Sequence, residues 1–332
     1  MSNKQYKTSI DGNHPLPTGE GPGRGPKTNS FEAWVLAARP KTLSGAAVPV
    51  MIAVALALRT TGWHDFRLIP AILCFFFAFL MQIDSNLIND YFDFVHGNDD
   101  PATRLGPKRA CAEGWITPDA MRRGLIFVSA LACIVGLPLI YYGGWEMVIV
   151  GAVCVLFAFL YTTFFSYRGM GDILVLVFFG IVPICFTYYV IMPDNFKTIP
   201  WSVIVVSIGC GLVIDTLLCI NNFRDRHNDE KDGKRTLIVR LGEKRGAQLY
   251  NAVGSTGAAL TMVVLLLTSR HPQIAIICMF PFLVYIYKHS QSYIQLKEIW
   301  EGKSLNKVLG MTARDMFIYG VMTVVAVYLS TL

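Results

Sequence analysis

Charged residues are scarce in this sequence: they make up 16% of its 332 residues, whereas hydrophobic residues make up 53% and the mean hydropathy is +0.46. So little charge excludes an ordinary soluble domain and is typical of a polytopic helical membrane protein. The apolar residues form solid blocks of about 20 residues rather than short alternating segments, which argues against a transmembrane β-barrel. The composition therefore predicts an all-α membrane protein.

Paired cysteines and a hydrophobic leader are also lacking. None of the eight cysteines forms a Cys-x-x-Cys pair, and all but Cys111 lie inside apolar blocks, so neither a disulfide framework nor a zinc site is expected. Residues 1–30 are rich in Gly, Pro, Ser, Thr and Asn without an apolar core, which argues against a cleaved signal peptide. We expect a disordered polar tail at 1–30, followed by one transmembrane domain at 31–332.

What the sequence does contain is a series of long apolar blocks, each able to form a membrane-spanning helix. Prolines inside four of these blocks predict kinks, which neighbouring helices in a bundle tolerate. The prediction is a polytopic bundle of about nine transmembrane helices, at approximately residues 42–58, 67–90, 123–142, 145–164, 172–192, 201–222, 246–268, 273–289 and 313–331.

Basic residues are distributed unevenly between the two sets of loops that nine spans would define. All but four of the 29 Lys and Arg residues fall on the side of the N-terminal tail, the exceptions being Arg59, Arg67, Lys197 and Arg270. Because cytoplasmic loops carry the excess of basic residues, the N-terminus is predicted to lie in the cytoplasm. The net charge of +6 then follows from topology and gives no reason to invoke nucleic acid.

The second and sixth apolar blocks each end in a cluster of carboxylates and carboxamides. Asn89 and Asp93 form an Asn-x-x-x-Asp pair in the first cluster, and Asn221 and Asp225 repeat it in the second, where Asp229 adds a further turn. Residues four apart share one face of a helix, so the side chains within each cluster converge. Four spans separate the clusters, so both are predicted to lie on the cytoplasmic side, where they can meet.

Converging carboxylates beside a membrane repel one another unless a cation is bound between them. An isolated cluster of this kind is often no more than a set of solvated loop charges, but two clusters with matched spacing on one side favour a shared function. Oxygen-only ligands favour Mg²⁺, which typically bridges protein carboxylates to substrate phosphates. Nearby basic residues can complete a diphosphate clamp, namely Arg104, Arg109, Arg224, Lys234 and Arg235. A diphosphate held beside an apolar bundle suggests an isoprenyl diphosphate whose tail lies among the helices.

Five segments carry a resemblance to the UbiA superfamily of intramembrane aromatic prenyltransferases, and within it to the 1,4-dihydroxy-2-naphthoate polyprenyltransferase branch. In the sibling 4-hydroxybenzoate branch the first motif resembles Asp-x-x-x-Asp-x-x-x-Asp, whereas Gly97 stands at the third acidic position here and Asp99 lies beyond it. The resembling segments are ARPKTLSGAAVPV (38–50), NDYFDFVHGND (89–99), GPKRACAEGWITP (106–118), YRGMGDILVLVFFG (167–180) and NNFRDRHNDEKDGKRTLIVRLG (221–242).

The resemblance implies transfer of a polyprenyl group from polyprenyl diphosphate to 1,4-dihydroxy-2-naphthoate, with loss of CO₂ and diphosphate, giving demethylmenaquinone in a bacterial inner membrane. The implied metal ligands are Asn89, Asp93, Asp99, Asp225 and Asp229, with Mg²⁺ as the cofactor. The implied catalytic acids are Asp90, Asp93, Asp225 and Asp229. The implied diphosphate-binding residues are Arg39, Arg104, Arg109, Arg224 and Lys234. The residues that the resemblance brings near the aromatic acceptor are Tyr161, Tyr167, Arg168 and Asp172.

Other functions remain open at this stage. The nearest is prenylation of another aromatic acceptor, such as 4-hydroxybenzoate, homogentisate or a chlorophyll precursor. An ion-coupled transporter is more remote, because the acids cluster at one membrane face beside Arg and Lys residues. A CDP-alcohol phosphatidyltransferase would pack its acidic motif into one segment, and that pattern is absent. Asp215, inside the sixth span, is interpreted as a buried hydrogen-bonding group, with a substrate-facing role left open.

Overall fold

The computed structural model describes residues 25–97, 101–165, 168–269 and 272–331, and within these ranges the chain is helical without any strand. The first seven α-helices are α1 Phe31–Ala38, α2 Leu43–Thr61, α3 Leu68–Val95, α4 Pro118–Gly136, α5 Leu139–Gly143, α6 Glu146–Leu160 and α7 Gly171–Val175. The next seven are α8 Val182–Ile191, α9 Trp201–Lys231, α10 Leu237–Leu241, α11 Glu243–Thr268, α12 Pro272–Ile277, α13 Phe280–Ile299 and α14 Leu305–Leu329. The predicted all-α class is confirmed.

Short irregular segments join several of these helices. Two 3₁₀ turns, Pro40–Thr42 and Asp194–Phe196, precede α2 and α9. Two π-helical stretches, Tyr161–Phe165 and Leu176–Ile181, continue α6 and α7. A π-helical turn inserts a residue into the helical repeat and is frequent at functional sites. These two stretches rotate the side chains that follow them relative to an unbroken α-helix.

Several helices begin at capping residues that the sequence supplies. The Ser30 hydroxyl accepts the Ala33 N–H before α1, and the Thr117 hydroxyl accepts the Ala120 N–H before α4, where Pro118 occupies the first helical position. The Thr236 hydroxyl accepts the Val239 N–H in the same way before α10. Such caps satisfy N–H groups that a helix start leaves without an internal partner.

Eight helices in the described part of the chain are long and apolar enough to cross a membrane. They correspond to eight of the nine predicted spans, and the exception is α4. Its first two turns contain Asp119, Arg122 and Arg123, which is more charge than a fully lipid-embedded segment tolerates. The apolar part of α4 is extended by Leu137, Pro138 and α5, so the predicted kink at Pro138 divides this segment into two helices.

The long helix α9 forms the centre of the bundle and packs against α11, α14, α8 and the second π-helical stretch. Glycines allow these close contacts: a Cβ at Gly209 would lie 2.7 Å from the Gly257 carbonyl oxygen of α11, and a Cβ at Gly180 would lie 2.5 Å from the Ser207 carbonyl oxygen. Because both obstacles are backbone atoms, only glycine fits, as is common where helices pack in membranes.

One end of the bundle contains three of the four basic residues that the topology assigned to the minority side, one in the last turn of α2 and two in loops. Arg59 donates a 2.6 Å hydrogen bond to the Thr268 carbonyl, and Arg67 and Lys197 both form ion pairs with Asp194. The hydrogen bonds that Lys197 and Arg67 donate hold the pKa of the Asp194 carboxyl below its usual value. Both acidic clusters lie at the other end.

Candidate active site

A cavity of about 1430 Å³ lies inside the bundle, lined by residues of α2, α3, α6, α8, α9 and α14 and by the loop at 101–117. Polar and charged side chains line the end where α3 and α9 terminate. Toward the opposite end the walls are apolar, with Val50, Cys74, Leu139, Met147 and Val190 among the lining residues. We refer to this second part as the apolar chamber.

The first acidic cluster reaches the cavity from the last turns of α3. The Asn89 side-chain oxygen accepts a hydrogen bond from the Thr162 hydroxyl, which the first π-helical stretch brings across from α6. Asp93 lies one turn later and forms a 3.0 Å ion pair with Arg109. Asn89 and Asp93 both line the cavity, as their shared helical face predicts. Asp99, also expected as a metal ligand, lies outside the described residues.

Asp90 has different surroundings from its neighbours. Its carboxylate is 1% exposed and accepts the backbone N–H groups of Ala110 and Cys111 at 2.8 and 2.9 Å. Arg39 approaches the same carboxylate at 3.9 Å. Asp90 does not line the cavity. Its position is that of a supporting acid, which attaches the loop at 101–117 to α3.

The second acidic cluster occupies the last turns of α9. Arg224 binds the Asp225 carboxylate through two nitrogens, at 2.9 and 2.6 Å, and donates a 2.8 Å hydrogen bond to Asn306 at the start of α14. Asp225 and Asp229 line the same cavity as the first cluster, and so does Asn221. The matched Asn-x-x-x-Asp patterns therefore meet, as predicted from the topology.

Five of the six basic residues predicted to bind diphosphate also line this end of the cavity, and the sixth, Arg235, does not. We call these five the basic rim; it consists of Arg39, Arg104, Arg109, Arg224 and Lys234. The loop at 101–117 carries two of its members. Asn306 fixes the loop by donating to the Leu105 carbonyl at 2.8 Å, and Arg104 donates to the Pro107 carbonyl at 2.7 Å within it.

The donor atoms at this end of the cavity are of the type that binds a divalent cation. We call the residues that supply them the oxygen-donor set; it consists of Asn89, Asp93, Asp225 and Asp229. Carboxylate and carboxamide oxygens are ligands for hard cations and not for soft ones. Arginines bind two of the three carboxylates, as the pairs Asp93–Arg109 and Asp225–Arg224 show, and a bound cation offers the same charge compensation. With a cation bound there, the guanidinium groups of Arg109 and Arg224 would be able to bind diphosphate, as members of the basic rim.

The residues predicted to approach the aromatic acceptor divide into two groups. Tyr161 and Asp172 line the cavity next to the second acidic cluster. Arg168 does not: it is exposed, and its guanidinium carbon lies 3.7 Å from the centre of the Phe164 ring. Tyr167 lies outside the described residues.

Two residues of this site were not expected from the sequence. Thr162 hydrogen-bonds Asn89, and Asn306 connects Arg224 to the loop at 101–117. A single Thr in an aromatic run and a single Asn in a first helical turn give no local signal of such a role. Their partners are 73 and 82 residues away in the chain, so the contacts follow from tertiary structure alone.

Comparisons with known proteins identify the family to which the chain belongs. Residues 46–301 match the model of the UbiA prenyltransferase family. The chain is 36% identical over 250 residues to 1,4-dihydroxy-2-naphthoate octaprenyltransferase of Escherichia coli (strain K12), covering 72% of this chain and 78% of that protein. It is 32% identical over 244 residues to the protein of the same name from Mycobacterium leprae (strain TN), covering 72% and 80%.

Among solved structures, a UbiA homolog from Archaeoglobus fulgidus bound to GPP and Mg²⁺ has a similar fold. Its TM-score is 0.56 at 14% sequence identity, with 88% of this chain and 99% of that chain covered. Such low identity supports the fold alone, whereas the family match and the curated relatives support the resemblance that the two acidic motifs suggested. The chain belongs to the UbiA prenyltransferase family.

Proposed function

We propose that this integral membrane protein transfers a polyprenyl group from polyprenyl diphosphate to 1,4-dihydroxy-2-naphthoate, with loss of CO₂ and diphosphate, giving demethylmenaquinone. One observation carries the proposal: the oxygen-donor set and the basic rim line one end of a single cavity whose other end is the apolar chamber. A diphosphate head and an isoprenoid tail need these two environments side by side. The acceptor is taken from the curated relatives, whose names specify it.

The proposed chemistry begins at the diphosphate. A divalent cation, which we take to be Mg²⁺, would be held by the oxygen-donor set and would supply positive charge that makes diphosphate a better leaving group. The basic rim neutralises the remaining negative charge as the allylic C–O bond breaks and its electron pair leaves with the diphosphate. Arg109 and Arg224 are well placed for this, because both are at most 9% exposed and water screens them little.

Bond formation follows at the acceptor. The electron-rich ring carbon that carries the carboxylate bonds to the allylic carbon, and the bond to the carboxylate then breaks. CO₂ leaves and its electron pair restores the aromatic ring, so the first product is the hydroquinone form of demethylmenaquinone. Phe157 and Phe178 stack at 5.0 Å in the cavity wall and help to exclude water, which would otherwise capture the allylic cation.

The membrane orientation that we propose places the N-terminus and both acidic clusters in the cytoplasm of a bacterial cell. It is supported by the excess of basic residues on the N-terminal side of the predicted topology. Three of the four exceptions lie at the end of the bundle away from the acidic clusters.

A panel assay tests the proposed function. The purified protein is incubated with octaprenyl or geranylgeranyl diphosphate, one divalent cation at a time, and 1,4-dihydroxy-2-naphthoate, 4-hydroxybenzoate or homogentisate. We expect a prenylated naphthoquinol or naphthoquinone with Mg²⁺ and none after chelation. A product formed with a benzenoid acid but not with the naphthoate would identify a different acceptor, and uptake of an ion without any prenyl transfer would contradict an enzymatic function.

A substitution in the apolar chamber tests where the prenyl tail lies. Gly151 of α6 lines the cavity, and a Cβ there would meet no atom within 4 Å. Tyr161 lines the cavity next to the second acidic cluster. Gly151 precedes it by ten residues, which places Gly151 about 15 Å farther from that cluster along a helix. We expect Gly151→Phe to lower kcat/KM for octaprenyl diphosphate about tenfold or more. The value of kcat/KM for geranyl diphosphate should stay the same, because its tail ends before this point.

Val153→Phe is the matched control for this substitution. Val153 lies on the same helix but is 37% exposed and does not line the cavity. It should leave the preference for chain length unchanged. Equal losses for long and short diphosphates in Gly151→Phe would mean that the tail does not follow this wall.

A further inference from the structure

A second group of acids converges beside the cavity, separate from the oxygen-donor set. Asp172 of α7 meets Asp215 and Cys219 of α9, and one ligand atom from each lies within 4.8 Å of the others. The Cys219 thiol donates to Asp215 at 3.6 Å. We call these three residues the carboxyl cluster. Asp172 lines the cavity, and Asp215 lies behind it with 3% of its surface exposed.

The carboxyl cluster has an unused capacity to accept hydrogen bonds. Both Asp172 oxygens and Asp215 Oδ1 are buried without a hydrogen-bond partner among the described residues. A buried carboxylate oxygen without a donor costs several kcal/mol, and the cost is greatest inside a membrane. Native structures rarely leave such groups unsatisfied without a reason. These oxygens therefore point to a ligand that supplies a donor.

Close backbone packing maintains the carboxyl cluster. A Cβ at Gly211 would lie 2.9 Å from the Leu176 carbonyl oxygen, so the second π-helical stretch lies directly against α9. A Cβ at Gly171, the residue before Asp172, would lie 3.1 Å from the Leu218 side chain. These small residues hold α7 against α9, so Asp172 and Asp215 cannot separate without disturbing the bundle.

The chemistry of the proposed reactants decides which one the carboxyl cluster contacts. Diphosphate is anionic and offers no donor, so two carboxylates would repel it. The isoprenoid tail has no polar atom. A hydroxyl group of the aromatic acceptor is a donor, and its O–H···O⁻ hydrogen bond to a buried carboxylate is strong.

We infer that Asp172, supported by Asp215 and Cys219, binds a ring hydroxyl of the aromatic acceptor and so selects hydroxylated acceptors. This inference rests on the proposed function. The acceptor's own carboxylate must point away from the two acids, which directs it toward the basic rim. Asp172 is thus a residue that touches the substrate, whereas Asp215 and Cys219 are positioning residues behind it.

Binding of acceptor analogues provides the test. The full-length protein in detergent is titrated with 1,4-dihydroxy-2-naphthoate and with 1-hydroxy-2-naphthoate and 4-hydroxy-2-naphthoate, each of which lacks one hydroxyl, and binding is followed by naphthoate fluorescence. We expect the wild type to bind the dihydroxy compound about 10- to 100-fold more tightly than one of the two monohydroxy compounds. In Asp172→Leu this preference should disappear, and in Asp215→Asn it should fall.

Steady-state kinetics give a second measurement and a matched control. Asp172→Asn and Asp215→Asn should raise KM for the acceptor about tenfold while KM for the prenyl diphosphate stays the same. Asp84→Asn is the control, because Asp84 is another buried aspartate in a membrane helix but bonds Ser129 and does not line the cavity. It should change neither KM.

Two outcomes would overturn the inference. One is an unaltered preference among the three naphthoates in Asp172→Leu. The other is a divalent ion bound by the carboxyl cluster, seen as a metal-to-protein ratio that falls in Asp215→Asn. Wild-type turnover of the naphthoate tests the proposed function, whereas the difference between variants in binding tests this assignment, so the two can fail separately.

Discussion

Asp93→Ala and Asp229→Ala are each expected to lower kcat about 10³-fold or more while the helical fold is retained. Both carboxylates line the polar end of the cavity, one from each acidic cluster. Removing either one breaks the oxygen-donor set, so the cation that would be held there loses a ligand and the diphosphate loses its main source of compensating charge. The loss should appear in single-turnover measurements with the allylic diphosphate, and Mn²⁺ or Mg²⁺ affinity should fall in parallel.

Glu230→Ala is the matched control for these substitutions. Glu230 follows Asp229 directly in α9, but its side chain is exposed and does not line the cavity. Its removal deletes one carboxyl group from this helix end, as Asp229→Ala does, so a general effect of losing an acid here would appear in both variants. Retained turnover in both Asp93→Ala and Asp229→Ala would contradict the metal assignment.

The polar half of this site was predictable because it depends on local periodicity and on counting spans. Asn89 and Asp93 share a helical face by spacing alone, and so do Asn221 and Asp225. The predicted even number of crossings puts the two helix ends on one side, and in the structure their side chains line one cavity. Four members of the basic rim were expected from their nearness to the clusters in the sequence, and the resemblance of short segments added Arg39; all five line that cavity.

The rest of the site depends on features that have no local sequence signature. The first π-helical stretch rotates Thr162 onto Asn89, and hydrophobic periodicity does not reveal such an insertion. Asn306 acts through a loop 201 residues earlier in the chain. The carboxyl cluster forms only because glycines let α7 and α9 pack closely together. The sequence alone does not show this packing, so it could not predict that Asp215 lies beside Asp172.

Asp90→Ala is expected to lower activity about 100-fold by releasing the loop at 101–117 rather than by removing a group that touches the substrate. Asp90 accepts two backbone N–H groups, those of Ala110 and Cys111, and truncation leaves both buried and unsatisfied at a cost of about 1–3 kcal/mol each. The same loop carries Arg109, which reaches Asp93. A detached loop would therefore remove part of the basic rim from the diphosphate.

Backbone hydrogen exchange separates this anchoring role from direct catalysis. In Asp90→Ala we expect faster exchange at Ala110 and Cys111 and a higher KM for the prenyl diphosphate, because the free energy that closes the loop has been lost. Asp93→Ala, whose carboxylate lines the cavity and accepts no backbone N–H of the loop, should reduce turnover with little change in exchange at those two amides. If Asp90→Ala abolished turnover while both amides kept their protection, Asp90 would act on the reactants directly, as the catalytic acid that its place in the first motif suggests.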